Sequence, residues 1–310
     1  MPESETILMN GVSIVPTDNK RLEELPSGRR FMPFLLFVVG LAVLFGKPLV
    51  LHATTAATSE LHSHILLIPF VFAYLVYIRG KELPHDSRRS IAGSVSLLTI
   101  GAVAWAIPRL STMVSPSEHL AVTILAFVSF VAAGGFFFLG LEWMRMLGFS
   151  FAFLIFLVPL PDRALLMLET ASQVASAEAA DLFFHLSMTP VLRDGMIFQL
   201  PGIVIEVAQE CSGIRSSLVL FITSLLASYL LLRSGWRRAI LVGLVIPLGI
   251  VRNGFRIAVI GWLCAAYGPE MINSPIHRQG GPVFFVASLV PLLGLVWILR
   301  RGENKSPPRG

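Results

Sequence analysis

The chain has 310 residues, of which 55% are hydrophobic and 14% charged, with a formal net charge of +5 and a mean hydropathy of +0.75. A soluble domain carries about 25% charged residues, so the composition excludes an ordinary water-soluble protein and favours the lipid bilayer as solvent. The modest positive charge does not indicate nucleic-acid binding, and two cysteines are too few for a disulfide scaffold.

Eight apolar segments follow a polar amino-terminal region. Residues 1–30 predict a disordered cytoplasmic tail, without the basic-then-apolar order of a signal peptide. A transmembrane helix needs about 20 apolar residues, and the segments that approach this length are 33–51, 64–79, 91–110, 119–140, 146–161, 212–232, 238–262 and 282–299. We therefore predict an all-α polytopic membrane protein of about eight transmembrane helices. It forms a single transmembrane domain over residues 31–300, followed by a basic cytoplasmic tail over 301–310.

Lysine and arginine mark every second connection between these segments, which is the pattern of cytoplasmic loops. These basic residues are Arg29, Arg30, Arg79, Lys81, Arg88, Arg89, Arg145, Arg233, Arg237, Arg238, Arg300, Arg301, Lys305 and Arg309. Both termini are therefore expected in the cytoplasm. The same topology predicts that segments 162–211 and 263–281 lie outside.

The first of these outer segments predicts a small folded structure. Residues 162–188 interleave charged residues with Leu, Met and Phe, which is typical of an amphipathic helix lying on a membrane surface. Asp194-Gly195 stands between short apolar runs and predicts a β-hairpin. We expect an extracytoplasmic helix and hairpin directly before the cysteine motif.

That motif, Glu210-Cys-Ser-Gly-Ile-Arg-Ser216, opens the sixth apolar segment from the outside. Ser212 and Gly213 indicate a helix start, where the peptide dipole favours a thiolate. The alternative is that Cys211 is a buried structural thiol, because free cysteine packs as a small hydrophobe. The polar residues around Cys211 favour a nucleophile.

Two arginines and a histidine complete the candidate site. Arg252 and Arg256 share a face of an otherwise apolar helix, where a buried charge costs about 2.5–3.5 kcal/mol even on the lenient scale. Either both snorkel to the headgroups, or Arg256 stabilises the anion of a tetrahedral intermediate. His277 is either a general acid or base or a loop histidine without a role. The topology predicts that Cys211, Arg256 and His277 lie at one depth and converge in a cleft between spans six, seven and eight.

The remaining hypothesis for the histidines is that some of them bind a metal ion. His62-Ser-His64 suggests zinc, but no cysteine or carboxylate stands at metal-ligand spacing from this pair. We therefore predict neither a metal nor a cofactor.

Several pieces of the sequence resemble the exosortase/archaeosortase family of membrane-embedded cysteine transpeptidases. The pieces are Cys-Ser-Gly-Ile-Arg-Ser at 211–216, Asn253-Gly-Phe-Arg256, His277 with Gly280-Gly281 and Val-Phe-Phe, Ser63-His64 with Pro69, and the stretch 190–211. Together they cover roughly residues 60–290, and their order along the chain is more specific than any one of them.

The resemblance implies that Cys211 attacks a peptide bond near the carboxyl terminus of an exported protein, with Arg256 and His277 as catalytic partners. It implies supporting roles for the remaining motif residues, Asn253, Arg252, Arg215 and Ser212. Histidine as the third residue resembles the bacterial exosortase branch, located in the inner membrane with the site facing outward. Substrates of that branch carry a short Pro-containing motif, a transmembrane helix and an Arg-rich tail. Since the second motif is doubly basic, the acting arginine stays open between Arg252 and Arg256.

Three other functions compete with a transpeptidase. A protease would hydrolyse the same bond without transfer, a transporter would bind an anion with the arginines, and a scaffold would have no site. A transporter needs polar groups near mid-membrane and usually repeats, whereas here the polar residues gather toward one face and no repeat is evident.

Overall fold

The computed structural model describes residues 28–58, 63–84, 87–110, 115–207, 213–273 and 281–304. Its helices are α1 (Gly28–Leu44), α2 (Gly46–Thr58), α3 (Ile68–Arg79), α4 (Ile91–Leu110), α5 (Pro116–Gly134), α6 (Leu141–Met146), α7 (Gly148–Phe153), α8 (Asp162–Leu186), α9 (Ile214–Leu231), α10 (Gly235–Tyr267) and α11 (Gly281–Asn304). Its strands are β1 (Leu192–Asp194), β2 (Ile197–Leu200) and β3 (Ile203–Glu206). Single helical turns join several of these elements.

Helices long and apolar enough to cross a membrane dominate the described part of the chain. Four pass this test, namely Ile91–Leu110, Pro116–Leu139, Gly235–Tyr267 and Val283–Glu303, and two bent pairs raise the total to six. Ser63–Arg79 and Ser216–Leu231 are apolar but shorter. The protein is therefore an all-α polytopic membrane protein with four to six candidate spans, and the count of eight stays a prediction.

The span expected over 33–51 consists of two helices with a sharp bend between them. α1 ends at Leu44, α2 begins at Gly46, and their axes differ by 78°. Pro48 explains the break, because proline has no N–H to donate to the carbonyl of Leu44 and its ring would clash with that carbonyl in a straight helix.

A second break separates the expected fifth span from the expected surface helix. α7 and the helical turn Leu154–Leu157 are followed by Pro159 and Pro161, and α8 begins at Asp162 as a separate helix. Proline cannot continue a helix and disfavours helical backbone at the residue before it. α8 covers most of the segment 162–188 that was expected to be helical, while its location on the outer surface stays a prediction.

Contacts divide the chain into two compact units. The first contains the described residues up to Val50 together with Ile68–Thr112 and Val122–Val158. Phenylalanine rings fill it, as in the ring contact of Phe72 with Phe151 at 5.3 Å between centroids. At one end Glu142 accepts hydrogen bonds from the Ser87 hydroxyl (2.8 Å) and the Arg88 backbone N–H (2.7 Å), and these bonds hold the pKa of this carboxyl below its ordinary value.

The second unit contains Leu51–Leu67, Met113–Ala121 and Pro159–Gly310. Its strands form an antiparallel sheet in the order β1-β2-β3, and β1 pairs with β2 across the Asp194-Gly195 turn. α8, the sheet and α10 share one core, whose buried members include Phe184, Phe198 and Ala258. The helix and the sheet are therefore packed directly on the second half of α10.

α8 and α10 approach each other unusually closely. A Cβ added to Gly254 would lie 2.5 Å from the Ala179 Cβ and 2.9 Å from the Ala180 backbone nitrogen. Glycine at this position lets the two backbones meet. The ion pair between Arg193 of β1 and Glu178 of α8, at 2.8 Å, connects the sheet to the same helix.

The opposite end of α10 is held by a carboxylate of α11. Both oxygens of Glu303 accept from the backbone N–H of Arg233, at 3.1 and 3.0 Å, and one accepts from the N–H of Ser234 at 2.7 Å. Arg237 also donates to the Leu299 carbonyl at 3.1 Å. The turn between α9 and α10 is thus fixed to the end of α11.

Candidate active site

The described residues cover part of the site expected from the sequence. Cys211, Ser212 and His277 lie outside the described residues, and of Arg215 only the helical backbone is described. The expected convergence of Cys211, Arg256 and His277 therefore stays a prediction. The residues from which the site can be built are Gly213, Ser216, Ser217, Arg252, Asn253 and Arg256, all in the second compact unit.

The start of α9 is a sharply turned segment. Gly213 precedes the helix with φ 70° and ψ 7°, a left-handed conformation that glycine adopts readily. The carbonyl of Gly213 accepts from the Ser217 backbone N–H at 3.0 Å and from the Ser216 hydroxyl at 3.1 Å. A helix therefore starts at Ile214, three residues after Cys211 and directly after the Ser212-Gly213 pair at which the sequence predicted a helix start.

Arg252 reaches across from α10 to this helix start. Its Nη2 donates to the Ser216 Oγ at 2.7 Å, to the Ser217 Oγ at 3.2 Å and to the Gly213 carbonyl at 3.4 Å. The side chain is only 8% exposed, and its Nη1 has no hydrogen-bond partner within the described part of the chain. Arg252 thus binds α9, which speaks against snorkelling for this arginine.

Asn253 and Gly213 bring the two backbones together next to Arg252. Asn253 is 2% exposed, and a Cβ added to Gly213 would lie 2.7 Å from its Cγ and its Oδ1. The second motif of the sequence therefore packs directly on the first, two residues from the cysteine.

Replacing Gly213 by alanine is expected to destabilise the protein. Left-handed backbone costs a residue with a Cβ about 1–2 kcal/mol, and overpacking against Asn253 adds about 1–3 kcal/mol. Thermal unfolding in detergent measures the effect. Gly243→Ala is the matched control, because an added Cβ there meets nothing within 4 Å. Equal unfolding temperatures for the two variants would contradict this account of Gly213.

Arg256 lies one helical turn beyond Arg252. It is partly exposed, in contrast to the buried Arg252 and Asn253. Residues four apart share a helix face, so both arginines lie on the same side of α10. The environments of the two arginines differ, because Arg252 is buried and hydrogen-bonded to α9, whereas Arg256 is more exposed.

The helix and the sheet that the sequence predicted before the cysteine motif lie beside this part of α10. The indole N–H of Trp262 is 3.1 Å from both the Ser187 and the Thr189 hydroxyls, at the end of α8. Gln173 of α8 donates to the Val207 carbonyl, one residue after β3. The second half of α10 therefore packs against α8 and against Val207, the last described residue after the sheet.

No group of three His, Cys, Asp or Glu side chains suited to a metal ion occurs among the residues described. Of the pair that suggested zinc, His62 lies outside them.

Two serines of α9 take part in the contact with Arg252, although the sequence motifs gave them no role. Ser216 ends the quoted motif and Ser217 follows it, yet both receive a hydrogen bond from Arg252. The sequence feature that could have indicated this contact is the small size of Ser217 and of Gly249 in α10. A Cβ added to Gly249 would lie 2.8 Å from the Ser217 Oγ. Gly249 and Arg252 are three residues apart and thus share a helix face.

Comparison with known proteins gives one match. The sequence model of a family described as transmembrane exosortase matches residues 53–294. No curated protein and no solved structure matches the chain.

Proposed function

The chain belongs to the transmembrane exosortase family, and we propose that it uses Cys211 to cleave carboxyl-terminal sorting signals of exported proteins. Membership makes it a sorting-related membrane transpeptidase at the level of the family. The substrate signal, the nucleophile and the side of the membrane are parts of the proposal. The observation that carries it is the contact of the α9 start with Arg252 and Asn253, because it joins two motifs distant in sequence.

Short chain distances connect Cys211 and Arg256 to this contact. Two residues span at most about 7 Å, which limits how far Cys211 lies from Gly213. Four helical residues rise about 6 Å, which gives the axial separation of Arg252 and Arg256. Both groups are thereby restricted to the neighbourhood of the α9–α10 contact.

The proposed chemistry assigns one role to each of three residues. The Cys211 thiolate attacks the scissile carbonyl, and the guanidinium of Arg256 stabilises the resulting oxyanion. Collapse breaks the C–N bond, while His277 donates a proton to the leaving amine. The thioester left on Cys211 is then attacked by an amine, which gives transfer, or by water, which gives hydrolysis. His277, now neutral, accepts the proton of the attacking group, and either attack breaks the C–S bond and releases the thiolate.

The length of α10 supports a site toward one membrane surface. Its 33 residues extend about 50 Å, whereas the hydrocarbon core is about 30 Å thick. Arg256 lies 21 residues from Gly235, or about 32 Å along the axis. With the basic loops in the cytoplasm, Arg256 is at the outer boundary, where a substrate anchored by its own helix presents its sorting motif.

Processing of a reporter protein tests this function. The reporter is an exported protein from the same genome that ends in a Pro-containing motif, an apolar helix and an arginine cluster. Co-expression with the chain is expected to shorten it on a gel, and the mass of its new carboxyl terminus distinguishes transfer from hydrolysis. The control reporter carries a scrambled motif with helix and tail unchanged. If every such protein keeps its size whether or not the chain is present, the proposal is wrong.

Cys211 and Cys264 are expected to remain unbridged. Cys264 is 2% exposed within α10 and lies eleven residues beyond Asn253, or about 16 Å along the axis. A disulfide to Cys264 would consume the proposed nucleophile, so active protein is expected to keep Cys211 reduced. Alkylation of fresh active protein, mapped by mass spectrometry, is expected to modify Cys211 without prior reduction. A largely bridged pair in fully active protein would overturn the thiolate mechanism.

A further inference from the structure

The buried arginine of α10 has a place in the reaction that differs from that of Arg256. We propose that Arg252 is a positioning residue, which holds the start of α9 and thereby sets the placement of Cys211. This inference rests on the proposed function of Cys211 as the nucleophile. Arg252 acts through α9 and does not itself contact the substrate.

Within the described residues, the hydrogen bonds of Arg252 come from a single nitrogen and end at the start of α9. Nη2 donates to the Gly213 carbonyl and to the hydroxyls of Ser216 and Ser217. The same carbonyl accepts from the Ser216 hydroxyl and the Ser217 backbone N–H. Gly213 is thus fixed by both helices, and its left-handed backbone determines the direction in which the chain arrives from Cys211.

A stabilising role alone does not account for this arrangement. Arg252 is 8% exposed, the acceptors that its Nη2 reaches among the described residues are neutral oxygens, and Nη1 finds no hydrogen-bond partner there. Well-packed apolar residues often hold elements together as well as or better than buried charges do. A charge kept in this position is better explained by the geometry that it imposes on the helix start.

The expected benefit is accurate placement of the sulfur. A misplacement of about 1 Å in a reacting group costs about 10²-fold in rate. Arg252→Lys keeps the charge but replaces a planar fork with an ammonium on a flexible stem, so the first turn of α9 is held less exactly in place. Catalysis is then expected to slow while substrate affinity is unchanged.

A double-mutant cycle in purified full-length protein tests this role. Arg252→Lys and the pair Ser216→Ala with Ser217→Ala are each expected to lower kcat about 10- to 100-fold without changing KM for a peptide with the sorting motif. Because both changes remove the same contact, combining them is expected to cost little more than either alone. Ser224→Ala is the matched control, since this buried serine of α9 bonds within its own helix, to the Phe221 carbonyl at 2.8 Å.

A second readout does not depend on turnover. The rate at which a maleimide alkylates Cys211 is expected to change in Arg252→Lys and in the double serine variant, by an equal factor in the two. It is expected to stay unchanged in Ser224→Ala. Additive effects in the cycle, an unchanged alkylation rate, or a loss of kcat that follows a loss of folded protein would each overturn the inference. Failure of the unaltered protein to cleave, with the alkylation rates shifting as expected, would instead contradict the proposed function alone.

Discussion

Substrate processing is expected to stop completely when Cys211 is replaced by alanine or by serine. Alanine has no nucleophile, and a serine hydroxyl in the same place does not ionise as a thiol does at a helix start. Neither change removes a large apolar side chain, so the protein is expected to stay folded in the membrane. The measurement is the size of the substrate on a gel, where only the precursor should be present.

Cys264→Ala is the matched control for this experiment. Cys264 is a free cysteine buried in α10, so its replacement removes a thiol without touching the proposed chemistry. Processing at the rate of the unaltered protein is expected for Cys264→Ala. Normal maturation of the substrate by Cys211→Ser would show that another group is the nucleophile.

Arg256→Lys is expected to be nearly as damaging as Arg256→Ala. A planar guanidinium and an ammonium donate hydrogen bonds in different directions, and loss of one oxyanion-stabilising donor costs about 10²–10³ in kcat. Arg252→Lys is expected to be milder, because it acts on the reaction only through the start of α9. Rates of cleavage for the three variants, with the amount of folded protein measured in parallel, give the ranking.

The environments of the two arginines favour this ranking. Arg252 is buried with its Nη2 bonded to α9, whereas Arg256 is partly exposed and so more accessible to a substrate. If Arg252→Lys proves the more damaging change, the catalytic and positioning roles of the two residues must be exchanged.

Apolar length and turn chemistry made much of the fold predictable. The helix over 91–110 appears where the sequence predicted it, because a predominantly apolar stretch of 20 residues leaves few other structures in a membrane. The turn at Asp194-Gly195 likewise joins β1 to β2. Pro48 was also visible in the sequence, but its effect depends on its place in the helix, and the break before it was missed.

Contacts between helices were less predictable than the helices themselves. The sequence places Ser216 on α9 and Arg252 on α10, but their hydrogen bond depends on the rotation and depth of each helix. Those are set by close approaches elsewhere, such as that of Gly254 to α8. The pairing of β3 with β2 was unpredictable for a similar reason. Alternating residues indicate that a segment is a strand but not which strand it pairs with.

The carboxylate of Glu303 has a consequence at the far end of its helix. α11 runs without a break from Gly281 to Asn304, and Glu303 ties it to the turn before α10, about 33 Å from Gly281 at its other end. The anchoring of one end therefore restricts both the height and the rotation at which the other end begins, four residues after His277. A single residue inserted within α11 would shift that beginning by about 1.5 Å and turn it by about 100° relative to α10. Any exchange of this helix between relatives must therefore preserve the number of residues between Gly281 and Glu303.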